Sequence, residues 1–273
     1  YLNSIIRVDQ AAAVVMMSVE KARELGIPED RWVYLHGCAD ANDLWYVTER
    51  VNYHSSPAIR TMGQKALGMA GMSIDEMDYL DLYSCFPSAV QIGAQELGIS
   101  LDDPRDFTVT GGLPYFGGAG NNYVMHSIAT MLDKVRAKPG SKGLCTANGW
   151  FVTKHSIGIY STTPKEGLWE RENPATYQAE LDAMDHPVVD EMPDGDAKIE
   201  TYTVVHGREG AQFGMVLGRM NDTGHRFVAH VPADKALLET MKTQEMLGAS
   251  GNVKPAQAGA DGKLGTNTFT PAV

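Results

Sequence analysis

The sequence predicts an α/β layered domain on a mixed sheet, followed by a small β-barrel. Three observations carry that expectation. Up to residue 164, short apolar runs alternate with amphipathic stretches, and two strand-like runs close the series. Residues 165–198 turn charged and proline-containing, as a linker does. From Ile199 onward, β-type runs follow one another at short spacing with turn residues between them.

The elements follow in order. Ala11 to Met17 is an apolar run of strand length, and Ser18 opens a helix that Gly26-Ile27-Pro28 ends. Arg31 to Gly37 (RWVYLHG) has strand composition and stops at the polar CADAND. Ile59, Met62, Ala66 and Met69 recur at helical spacing between Pro57 and Gly71. Ser73 caps a short turn before MDYLDLYSCF, which reads as a buried strand, and a helix follows Pro87. A glycine-rich loop, Gly111 to Gly120, feeds the helix NNYVMHSIATMLDKVRA. KGLCTANGWFV and KHSIGIYSTTP are then two strands, with Asn148-Gly149 as the tight turn between them. The segment 165–198 carries one short helix near Tyr177 to Met184 and is expected to pack on the first domain. Residues 199–273 supply IETYTVVHG, QFGMVLGRM and HRFVAHVPA as strands, a helix (ADKALLETMKTQEM), and a Gly/Ala-rich tail after Ala249 that reads as poorly ordered at its end.

Composition narrows the function. With 273 residues and 43% hydrophobic content, the chain has enough apolar surface for a sizeable core. The 34 acidic against 23 basic residues, a net charge of −11, repel a phosphate backbone, so no nucleic-acid partner is expected. No apolar run approaches the ~20 residues of a membrane span. The three cysteines, Cys38, Cys85 and Cys145, form no C-x-x-C pair, and their sparse odd count fits a reducing cytoplasm. The histidines show no metal-ligand spacing, so no metal is expected. There is no initiator Met, and the chain reads as if it opened in mid-protein.

Three stretches carry chemistry. In DLYSCFPS, Cys85 lies just past a strand and close to a helix N-terminus, where the dipole and free N–H groups favour a thiolate. Tyr83, two residues earlier, shares its strand face and offers a phenol for proton transfer. Both residue types also serve as plain core. The loop TGGLPYFGGAGNNY brings Gly111, Gly112, Gly117, Gly118 and Gly120 to a helix N-terminus, an arrangement that cradles an oxyanion or phosphate. It matches neither the Walker nor the dinucleotide fingerprint and reads equally as a turn. In CTANGWFVTKHSIGIY, Asn148 is placed to order a water or a carbonyl, and His155 on the return strand is either a base or a structural histidine.

Taken in this order, the stretches resemble the C-terminal half of the thiolase superfamily over about residues 4 to 164. VDQAAAVVMMS is similar to that half's opening strand, GGLPYFGGAG to its glycine-rich active-site loop, and YSCF to the H-D-C-F box of sterol-carrier-type thiolases, whose Cys is an acid/base. GLCTANG resembles the terminal box. The resemblance implies a βαβαβαββ domain in α/β/α layers, a CoA thioester as substrate and no cofactor. It gives Cys85, Tyr83, Asn148 and His155 catalytic positions, and Gly111, Gly112, Gly117, Gly118 and Gly120 substrate-binding ones.

The departures are as informative. The family's G-H-P triplet is Gly117-Gly118-Ala119 here, so its activating His is missing. Tyr83 stands where the family has Asn or His, and Asn148 where ordinary thiolases carry an acid/base Cys, leaving Cys85 as the acid/base. The nucleophilic Cys belongs to an N-terminal half that nothing here resembles, so the chain alone is expected to be inactive and to partner that half or a separate subunit. The run from Ile199 resembles the oligonucleotide/oligosaccharide-binding (OB) barrel of the small proteins that accompany thiolase-like enzymes, without their zinc ribbon. That fusion is the arrangement of type-1 thiolase-like proteins, commonly labelled acetyl-CoA acetyltransferases. The expected function is therefore a thiolase-like acyl-CoA acyltransferase of lipid metabolism, cytoplasmic and open to homo-oligomerisation. Two other readings stand beside it, a thiolase-derived retro-aldolase on acyl-CoA side chains and a non-catalytic acyl-CoA or lipid-binding module.

Overall fold

A computed structural model describes residues 2–257 and 265–272. The chain divides into two compact units, Tyr1–Trp45 with Asn52–Met184, and Tyr46–Val51 with Asp185–Val273.

The first unit is built on four strands, β1 (Tyr34–Asn42), β2 (Tyr79–Asp81), β3 (Lys142–Gly149) and β4 (Lys154–Ser161), in the order β1-β4-β3-β2. β1–β4 and β4–β3 run antiparallel, whereas β3–β2 is parallel. Before β1 comes the short helix α1 (Val19–Glu24), which Ser18 caps as expected. Helices α2 (Pro57–Ala70) and α3 (Pro87–Glu96) share one apolar core with one sheet face. Ile59, Met62, Ala66 and Ile92 meet Leu80, Leu144, Ile157 and Ile159 there. Helix α4 (Tyr123–Ala137) covers the other face, placing Met131 and Val135 with Cys145 and Tyr160. The two sets alternate along each strand, which is the period-two logic of a sheet buried on both sides. The result is the expected α/β/α layering. α2 can lie this close to β1 because position 37 is glycine: a Cβ there would strike the Ala66 carbonyl.

Several local expectations are corrected. Ala11–Met17 is not a strand; it is irregular, with Val15 and Met16 exposed at 83% and 79%, and no described strand pairs with it. Apolar composition without a partner edge does not make a strand. The strand read through MDYLDLYSCF shrinks to three residues, because Leu82 leaves the ladder to donate to the Phe107 carbonyl. Asn148 and Gly149 are strand residues opposite His155 and Lys154, not a turn. The chain reverses at residues 150–153 instead, with Trp150 and Val152 at φ 61° and 54°. The expected linker 165–198 is divided: α5 (Pro174–Asp182) belongs to the first unit, with Tyr177 in its core, and residues from 185 belong to the second.

The second unit is a closed barrel of β5 (Gly195–Gly207), β6 (Gly210–Met220), β7 (Arg226–Val231), β8 (Ser250–Lys254) and β9 (Thr268–Pro271), ordered β5-β6-β7-β9-β8 with β8 returning to β5. Helix α6 (Lys235–Thr243), capped by Asp234, sends Leu238 and Met241 into a core with Val216, Phe227, Val253 and Phe269. Two barrel strands come from the Gly/Ala-rich tail after Ala249, whose end composition marked as poorly ordered: Val253 and Phe269 are fully buried. Residues 258–264 of that tail lie outside the described residues.

Candidate active site

Four of the expected residues come together where the ends of β2, β3 and β4 meet. Asn148, on β3, donates its amide Nδ2–H to Cys85 Sγ at 3.6 Å. His155, on β4, is the cross-strand partner of Asn148. Tyr83, Asn148 and His155 line a cavity of about 10 Å³ with Thr146, Ala147, Leu82 and side chains of α2 and α3. That volume suffices for about one water molecule.

Each side chain is held for a reason readable in the backbone. Thr146 Oγ1 accepts from the Tyr83 N–H at 2.9 Å, pinning the chain as it leaves β2. Pro87, at the first position of α3, fixes the exit from Cys85 and Phe86. Burial pushes the Cys85 thiol up; backbone N–H groups at Phe86 and Cys85 and the Asn148 amide pull the other way, without overcoming it. The Tyr83 phenol is likewise raised, chiefly by burial and then by the nearby thiol, so it is a neutral donor at physiological pH. Its ring packs edge-on against Tyr123 at 5.4 Å.

His155 is the most enclosed of the four, with 1% of its side chain exposed. Its Nε2 lies 3.3 Å from Asp43 Oδ2, yet neither ring nitrogen makes a well-aligned hydrogen bond among the described residues. Asn148 Oδ1 is also buried and unpartnered. Asp43 itself is anchored: it accepts from the Ser56 hydroxyl and from the Ala58 N–H, at the start of α2. Ser56 in turn caps α2 through the Ile59 N–H, and its own N–H reaches Glu96, which Arg60 neutralises.

The glycine loop has a different job in each part. Gly112, at φ 80°, passes so close to Ser84 that a Cβ would sit 2.7 Å from its hydroxyl, and that hydroxyl accepts from the Leu113 N–H. The loop is thus tied directly beside Cys85. Gly117 and Gly118 face the N-terminal segment: a Cβ at Gly117 would lie 2.8 Å from Val8 Cγ1, and one at Gly118 3.2 Å from Ser4 Cβ. The Gly118 N–H donates to the Ile5 carbonyl, and Ser4 donates to the Cys85 carbonyl. Gly111 and Gly120 have open space where a side chain would stand. None of the five glycines lines the cavity with Tyr83, Asn148 and His155.

Sequence reasoning passed over Asp43, Thr146, Ser84 and Asp81. Asp81 is fully buried at the end of β2, accepting from Ser127 Oγ at 2.6 Å and from the Val109 N–H at 2.9 Å, so it fixes the entry to the glycine loop. Thr110 of that loop shares a 2.7 Å hydrogen bond with the Tyr123 hydroxyl, whose pKa burial, then the Asp81 charge, pushes up to about 12. The signal for Asp81 in the sequence is its place inside the apolar run MDYLDL. Among the described residues no group of His, Cys, Asp and Glu could hold a metal ion, and no helix is long and apolar enough to cross a membrane.

Comparison with known proteins agrees with this geometry. The family described as "Thiolase-like protein type 1 additional C-terminal domain" matches residues 176–258. A "Probable acetyl-CoA acetyltransferase" of Mycobacterium tuberculosis is 30% identical over 145 residues, 52% of this chain and 34% of that protein. An "Acetyl-CoA acetyltransferase" of Syntrophomonas wolfei is 32% identical over 140 residues, 50% of this chain and 32% of its own. A crystal structure of a monomeric SCP2-thiolase like protein type 1 from Mycobacterium smegmatis superposes with a TM-score of 0.84 at 42% identity, covering 94% of this chain and 54% of that one. The chain spans about a third of the length of these curated relatives and about half that of the solved structure. Its recognisable parts are a thiolase-superfamily C-terminal half and the additional C-terminal domain of type-1 thiolase-like proteins.

Proposed function

We propose that this chain is the acid/base half of a thiolase-like protein that binds acyl-CoA and is poorly equipped for Claisen chemistry. The observation that carries the reading is the pairing of Cys85 with Asn148 beside a loop whose G-H-P position is Gly118, packed against Ser4 and Leu113. A positioned general base contributes about 10²–10⁴-fold in rate, and no histidine stands at that loop position to supply it. Cys85 is then the acid/base group, Asn148 its hydrogen-bond donor, and the loop around Gly111, Gly112 and Gly120 the surface for the thioester. The nucleophile and an N-terminal half are contributions this reading assigns to the full-length protein, and the acyl chain is the substrate's. The barrel's strand order, with the fourth and fifth strands exchanged, favours an OB-like class. A cytoplasmic location remains part of the proposal, supported by the free cysteines.

The retro-aldolase reading is favoured by one feature, the neutral Tyr83 phenol at the cavity, a suitable acid for a 3-hydroxyacyl oxygen. The full-length protein separates the readings. Turnover of 3-hydroxyacyl-CoA lost in Tyr83→Phe and kept in Cys85→Ala supports the aldolase. Acyl-CoA binding with no turnover of either substrate class supports the binding module.

A further inference from the structure

We propose that one water molecule, held between His155 Nδ1 and Asn148 Oδ1 and oriented by Asp43, positions Asn148 to donate to Cys85, which makes Asp43 and His155 positioning residues for that thiol. The inference rests on the reading of Cys85 as the acid/base group, and it follows from hydrogen-bond direction. The Asp43 carboxylate oxygens accept; although the 3.3 Å approach of Oδ2 to His155 Nε2 is not a well-aligned hydrogen bond, it is the reason for assigning the ring proton to Nε2. His155 Nδ1 is then an acceptor. Asn148 spends Nδ2–H on Cys85 Sγ, so its Oδ1 is an acceptor as well. Both acceptors are buried without a partner, on residues directly opposite one another on β3 and β4 that line the same cavity. Two acceptors on one cavity are satisfied by a donor of two hydrogens, and a volume of about 10 Å³ is about the least that holds one water.

The consequence concerns the amide. Without a donor on Oδ1, a half-turn of the Asn148 amide would place its oxygen on the sulfur and oppose the thiolate. A water that gives one hydrogen to His155 Nδ1 and the other to Oδ1 favours the orientation with Nδ2–H on the sulfur. Asp43 sets the direction from the other end, because Ser56 and the Ala58 N–H hold its carboxylate rigidly. The titratable groups facing this chain of contacts are Asp43 on the β1–α2 connection, His155 on β4, and Tyr83 and Cys85 between β2 and α3. Glu96 on α3 reaches it only through the Ser56 backbone, with Arg60 on α2 as its counter-ion.

The test is ionisation of the Cys85 thiol, read as the pH dependence of iodoacetamide alkylation of the Cys85 peptide by mass spectrometry. It requires no acyl-CoA turnover, so it fails or succeeds independently of the proposed reaction. His155→Phe removes the acceptor and should raise the apparent thiol pKa by about one unit, slowing alkylation at neutral pH about tenfold. Ala89→Val fills the same cavity from α3 with every polar group intact and should act in the same direction. A crystal structure resolving solvent should show a water within hydrogen-bond reach of both atoms, and the ¹⁵N spectrum of His155 should show the Nε2–H tautomer. The proposal is overturned if both folded variants alkylate like wild type, if the cavity is dry, or if the ¹⁵N spectrum places the ring proton of His155 on Nδ1.

Discussion

The two units bury a carboxylate in opposite ways. In the α/β unit, Asp81 is surrounded by uncharged donors, Ser127 Oγ, Thr110 Oγ1 and the Val109 N–H, and burial outweighs them to raise its pKa. In the barrel unit, burial also pushes Glu200 up, but Arg226 and Arg219 together outweigh it and hold its carboxyl below the ordinary value. Arg226 is fully buried and also donates to the carbonyls of Thr48 and Arg50, so a single guanidinium fastens residues 46–51 to the barrel. Around Asp81 neutral donors alone position the loop, with no counter-ion. A buried ion pair gives the barrel rigidity at a desolvation cost.

The largest effect should come from breaking the barrel's pair. Arg226→Met removes the nearest counter-ion of Glu200 and the donor to three carbonyls and should cost about 3 kcal/mol, the low end for a buried pair because Glu200 keeps Arg219 and some water. Hydrogen exchange in β5–β7 should register the loss. All four tryptophans, Trp32, Trp45, Trp150 and Trp169, lie in the other unit. Their fluorescence melt should therefore shift less.

Next in size is Ser127→Ala, which leaves Asp81 Oδ1 short of its closest donor and should cost about 1–3 kcal/mol. Here the tryptophan melt should move and exchange in the barrel should not. Gly118→Ala follows, at about 1–2 kcal/mol, because a Cβ meets Ser4 and Leu113 within 3.3 Å. By the same crowding, Gly118→His should loosen the Ser4–Gly118 contacts without restoring a catalytic base; a gain in thiolysis by that variant contradicts the packing argument.

The smallest expected effect is in pH dependence, and its sign differs between the units. Asp81, raised in the folded state, contributes stability below the unfolded carboxylate value of 3.8 and loses it as pH rises through its folded value. Glu200, lowered, contributes above 4.5 and loses it as pH falls through its folded value. Asp81→Asn should flatten the first limb, read by tryptophan fluorescence, and Glu200→Gln the second, read by exchange in the barrel. Limbs of the same sign in both units would undo the comparison.

The layered fold was legible because helices such as Pro57–Ala70 carry both a periodic face and end signals: Ser56 caps it and Gly71, at φ 65°, closes it. What escaped the sequence was structure made by small or polar residues. CADAND looks like a loop, yet its alanines, Ala39 and Ala41, are the inward face of β1 alternating with Asp40 and Asn42. Ending the strand early also hid Asp43, the residue that faces His155. Asn148-Gly149 carried a strong turn signal, but pairing with β4 kept it in the ladder and moved the reversal onto Trp150 and Val152. The residues placed near Cys85 by sequence, Tyr83, Asn148 and His155, are close because the ends of β2, β3 and β4 meet. The groups that orient them are distant in sequence, Thr146 63 residues from Tyr83 and Asp43 112 residues from His155, and no local pattern announces those.

The proposed function requires the site to hold a thioester without the loop histidine. The most direct measurement is made on the full-length protein: calorimetric binding of acetoacetyl-CoA, and its thiolysis rate, in wild type and Cys85→Ala. The account predicts saturable binding in both proteins, with wild-type turnover at least about a hundredfold below that of a thiolase retaining the G-H-P histidine. Ordinary thiolase turnover in wild type, unchanged by Cys85→Ala, would contradict it.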